Sequence, residues 1–131
     1  MEDTEYNPTL DPGSPTGVYI PVDIQDCFRE LDKMLPDDMI ERIRLCEEGD
    51  LYQRHFGLAI WIRNNWGLWS HQSRLKQYFD NLGVREGDSA SSLLINSYWR
   101  HRNGLPIELP RQIVYDKIMR EEIRNGPKPG N

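Results

Sequence analysis

From Asp23 onward, apolar residues recur at three- and four-residue steps, and no stretch alternates apolar with polar long enough to read as a strand. That period predicts an all-α chain. Ile24, Cys27, Phe28, Leu31, Met34 and Leu35 line one face of a first helix, and Asp23 is placed to accept from its unpaired N–H groups. Pro36 ends this helix and suits the first turn of the next, where its missing N–H forfeits no bond. Asp37 and Asp38 favour the positive end of that second helix. Met39, Ile40, Ile43 and Cys46 form its stripe, and Gly49 closes it.

A third helix is predicted from Leu51 to about Asn64. It is apolar on nearly all sides from Phe56 to Ile62, as a central helix packed by neighbours should be. Gly67 breaks it. A fourth runs from about Ser70 to Leu82 with Gly83 as its stop, and a fifth from Asp88 or Ser89 to Asn103 and Gly104. The last, from about Pro110 to Arg124, has only Ile113, Val114, Ile118 and Met119 as an apolar side, which implies peripheral packing. The expectation is a compact bundle of five to six short helices forming one domain over residues 21–124. A chain of 131 residues can build one such core without metal or disulfide staples.

The two ends read differently. Residues 1–22 hold Glu2, Glu5, Asp3 and Asp11 with no Lys or Arg, and Pro8, Pro12, Pro15 and Pro21 resist helix and sheet alike. Residues 1–20 are expected to be a disordered acidic arm, and residues 125–131, with two prolines and two glycines, a disordered tail. The acidic start lacks the basic and apolar parts of a secretory signal, and no apolar run is long enough to cross a bilayer. The expected compartment is the cytoplasm. Cys27 and Cys46 fall on helical stripes in no CxxC pattern, so both are expected to be buried thiols.

Charge is the most informative feature for function. The net charge is −5, yet Leu51 to Phe79 contains no Asp or Glu beside Arg54, Arg63, Arg74 and Lys76. Ser89 to Ile107 again has none, beside Arg100, His101 and Arg102, and all four tryptophans lie in these two segments. Guanidinium groups give bidentate bonds to carboxylate or phosphate, and indole faces add stacking area. The expected ligand- or partner-binding surface is therefore the turn around Arg63, Asn64, Asn65, Trp66 and Trp69, with Arg74, Arg100 and His101 near it. Trp61 and Trp99 sit within helical apolar patterns and are expected in the core. Arg63 follows Ile62 on the most apolar helix, so its cation should be partly buried and in need of a partner. Asn64 and Asn65 also suit a helix C-terminus leading into the glycine turn.

HFGLAIWIRNNWGLWSHQSRLKQYFDNLGV, followed by SYWRHRNGLPIEL, resembles a family of small, uncharacterised bacterial domains. These carry W-I-R-N-N-W-G-L-W, then S-R-L-x-x-Y-F, then S-Y-x-R-H-x-x-G-x-P-I. The similarity spans about Pro21 to Leu109 and brings with it no activity, cofactor or catalytic residue. His71 and Gln72 stand where relatives are expected to have glycines, which argues against a catalytic His71.

No HExxH, GxSxG or P-loop glycine string occurs, and His55, His71 and His101 show no i,i+4 pairing with each other or with a carboxylate. The expectation is a non-enzymatic chain with no cofactor or metal. A pI near 5.2 and an acidic arm would repel a polyphosphate, which argues against nucleic acid. The leading expectation is a cytoplasmic protein-interaction module, an adaptor or an immunity-like inhibitor with a protein partner. The alternative is a domain, or a hydrolase, that binds an anionic small ligand on the Arg/Trp/His-rich face.

Overall fold

A computed structural model describes residues 5–69 and 73–126. Among these the chain forms seven helices: α1 (Ile24–Met34), α2 (Asp37–Leu45), α3 (Leu51–Arg54), α4 (Phe56–Asn65), α5 (Arg74–Asn81), α6 (Gly87–Arg102) and α7 (Leu109–Asn125). The all-α class is as the periodicity dictates. The count exceeds six because the third predicted helix is broken at His55, whose φ of −123° and ψ of 35° leave the helical region and turn α3 into α4. A 3₁₀ turn, Glu48–Asp50, leads into α3.

Local chemistry sets the ends. The Asp23 side chain accepts from the Asp26 N–H at the start of α1, and the Ser73 hydroxyl accepts from the Lys76 N–H at the start of α5. The predicted start of α5 at Ser70 lies outside the described residues. At the end of α4, Gly67 has φ 71° and the Leu68 N–H reaches back to the Arg63 carbonyl at 3.0 Å, the bond that closes a helix through a left-handed glycine.

α6 is the central helix and packs against α1, α2, α3, α4 and α7. Leu94, Ile95 and Tyr98 of α6 share one buried core with Phe28 and Leu31 of α1, Ile43 of α2, and Leu58 and Ile62 of α4. The Tyr98 hydroxyl donates to Asp32 at 2.7 Å, which ties α6 to α1; burial first, and then this bond, push the phenol pKa up. Cys27 is buried, whereas Cys46 is only partly so; both are free thiols.

The segment expected to be a disordered arm packs on the bundle over residues 5–22. Its apolar residues Val18 and Ile20 are buried, Leu10 and Val18 form one antiparallel bridge, and the Asn7 N–H donates to the Met34 carbonyl at 2.9 Å. The anchor is Glu30, a buried carboxylate of α1 that accepts from the Thr9 N–H at 2.8 Å and the Thr9 hydroxyl at 3.2 Å. Proline prevents helix and sheet here but does not prevent docking, because Glu30 would otherwise be buried without hydrogen bonds. Residues 1–4 and 127–131 of the predicted arm and tail lie outside the described residues.

Candidate functional site

The predicted surface is not one place. Arg63 is 5 % exposed, yet no carboxylate pairs with it among the described residues. Its Nη2 donates to the Tyr52 hydroxyl at 3.0 Å, its Nε approaches the Ala59 carbonyl at 3.4 Å, and its Cζ lies over two rings, Phe56 at 5.6 Å and Trp69 at 5.1 Å. Nη1 has no acceptor among the described residues. The two rings around it are open, Phe56 at 47 % and Trp69 at 52 % exposure.

Chain geometry holds this arrangement. The Trp69 indole N–H donates to the exposed Asn64 side chain, which fixes the ring over Arg63. A Cβ at Gly87, the first residue of α6, would meet the Leu68 carbonyl at 2.6 Å, so only glycine lets α6 approach the 66–69 turn this closely.

The other predicted residues are occupied elsewhere. Trp66 is fully buried and packs edge-on against Trp61 at 5.9 Å; it belongs to the core, because it directly follows α4 and its N–H still bonds to the Ile62 carbonyl of that helix. Trp61 and Trp99 are only partly buried: Tyr6 covers Trp61 at 5.7 Å, and the Trp99 N–H donates to the Cys46 carbonyl at 2.9 Å. The Asn65 carbonyl accepts from the Thr16 hydroxyl at 2.6 Å, and its side chain donates to the Trp61 carbonyl at 3.0 Å. Arg74 donates to the Ile20 carbonyl at 2.6 Å and lies 5.0 Å over the Tyr19 ring, so the packed N-terminal segment already uses it. Arg100 is paired with Glu48 at 3.0 Å and donates to the Pro106 carbonyl. His101 stacks on Phe28 at 4.6 Å.

A cavity of about 620 Å³ opens between the 3₁₀ turn, α6 and α7, lined by Tyr52, Asn96, Arg100, Gln112, Tyr115 and Met119 among others. Its central polar groups are mutually paired, with Asn96 donating to Gln112 and Gln112 donating to Ser97 and the Ile107 carbonyl. Among the described residues no group of three or more His, Cys, Asp or Glu could hold a metal ion, and no helix is long and apolar enough to cross a membrane.

A family model, described as a domain of unknown function, DUF6794, matches residues 20–102. The chain belongs to this family. The match contains α1 to α6 and the whole Arg63 surface, and it ends before α7. No curated protein and no solved structure matches the DUF6794 chain.

Of the eight predicted binding residues, Arg63, Asn64 and Trp69 come together. Tyr52 and Phe56 were missed as site residues, Phe56 because its place on an apolar helix reads as core. The available signal is their spacing, since Tyr52, Phe56 and Arg63 recur at steps of four and seven and would share a face of the single helix predicted from Leu51 to Asn64.

Proposed function

We propose that this chain is a non-catalytic protein-binding module, an adaptor or inhibitor, that receives an acidic segment of a partner protein at Arg63. The observation that carries the reading is a buried guanidinium that, among the described residues, has no carboxylate partner and no acceptor for its Nη1. Burying an unpaired cation is costly, and a carboxylate arriving from outside would supply the missing counter-ion. Phe56 and Trp69 beside it are open aromatic anchors, the residue types that carry most binding energy at protein interfaces together with arginine. A second chain rather than a small molecule suits this surface, because the cation lies among exposed rings whereas the 620 Å³ cavity has its polar groups paired internally. Two free thiols suit a cytoplasmic module.

Selection from a random peptide library tests the reading. Peptides enriched on the full chain should share an Asp or Glu next to an apolar residue, and Trp69→Ala and Arg63→Met should each abolish the enrichment. Neutral or basic motifs, or enrichment unchanged in both variants, would overturn it.

A further inference from the structure

α7 leaves most of its apolar surface uncovered. Only Ile113 is buried, while Val114, Tyr115, Ile118, Met119 and Ile123 are 41–77 % exposed. Helical spacing gathers Val114, Tyr115, Ile118 and Met119 on one exposed side, of which Tyr115 and Met119 also line the open cavity beside α6, with Arg111 and Glu122 closing the two ends of the patch. Arg111, Tyr115, Ile118 and Glu122 follow one another at steps of four, three and four, the spacing of a seam between two paired helices.

This seam is complementary to itself. A two-fold axis between residues 116 and 117 places an antiparallel second α7 so that Arg111 faces Glu122, Val114 faces Met119, and Tyr115 faces Ile118, each pair occurring twice. Both charges are available for this: Arg111 is 84 % exposed and its one ion pair among the described residues is to Glu108, just before α7, while Glu122 has no ion-pair partner among the described residues. We propose that α7 is a dimerisation helix and that its partner is the α7 of a second copy of this chain, paired antiparallel. The match to the family ends at Arg102, before α7 begins. The pairing rests on residues of α7 alone and does not depend on the partner-binding reading.

Sedimentation equilibrium of the full chain, from micromolar to near-millimolar concentration, tests the proposal. The expected result is a reversible rise from 15.4 kDa to twice that mass. Ile118→Asp, at a half-exposed position that leaves the fold intact, should weaken dimerisation by at least about tenfold, as losing a central interface side chain does. Arg111→Glu and Glu122→Arg should each weaken it, and the two together should restore it, because the antiparallel register only exchanges the charges. A mass of 15.4 kDa at every concentration would overturn the proposal. So would a dimer untouched by Ile118→Asp, or a double charge reversal no better than the single ones.

Discussion

The Arg63 guanidinium carbon lies 5.1 Å from the centroid of the Trp69 ring, and the cation is buried while the ring is half exposed. The ring attracts the cation but brings no counter-charge, which leaves a surface for something else to complete.

Truncating the two neighbouring tryptophans should separate these roles. Trp66→Ala removes a fully buried ring and should cost about 3–5 kcal/mol in denaturant unfolding. Trp69→Ala removes an exposed ring and should cost less than about 1 kcal/mol while abolishing peptide binding. Equal losses of stability would show that Trp69 is structural.

Arg63 itself should be dispensable for folding. Arg63→Met keeps the stem, removes the unpaired charge and forfeits bonds to Tyr52 and the Ala59 carbonyl. Replacing a poorly paired buried charge with an apolar side chain of similar length is near neutral or stabilising, so unfolding free energy should stay within about 1 kcal/mol or rise. A loss above about 3 kcal/mol would mark Arg63 as a structural cation instead.

The docked N-terminal segment should contribute to stability. Deleting residues 1–20 exposes the contacts of Val18 and Ile20 and removes both Thr9 bonds to Glu30. The expected loss exceeds about 2 kcal/mol, given the worth of a buried aliphatic side chain, and would be read as a lower denaturant midpoint. Unchanged stability would mean that the segment rests on the bundle without holding it.

His55 should make stability depend on pH. It is buried at the break between α3 and α4, and burial, then Arg42 and Arg54, lower its pKa. The folded state therefore binds this proton less readily than the unfolded one. Full stability is present above the ordinary histidine pKa of about 6.5 and falls as pH drops through that value. Unfolding measured between pH 8 and pH 5 should show a shallower decline in His55→Gln than in the parent chain; parallel curves would remove His55 as the cause.

Helices with one strong stripe could be read from sequence, as α1 shows, because Ile24, Cys27, Phe28 and Leu31 can share a side only in a helix. The packing of residues 5–22 could not, since Val18 and Ile20 stand among prolines and glycines without a period and find their partners only once Glu30 and α4 are in place. Arg63 stood out because a cation follows Ile62 on an apolar helix. Arg74 and Arg100 were grouped with it because their own segments lack carboxylates, but the fold supplies the Ile20 carbonyl to one and Glu48 to the other. A local sequence window does not contain those long-range partners.

The central claim is that Arg63 waits for an external carboxylate, and a nuclear magnetic resonance titration of the full chain with acetate, against acetamide at fixed ionic strength, tests it most directly. The account predicts a saturable shift of the Trp69 indole N–H and the Arg63 Nε–H with acetate and not with acetamide, with the Trp69 response lost in Arg63→Met. Equal responses to both probes, or a Trp69 shift that survives in Arg63→Met, would contradict it.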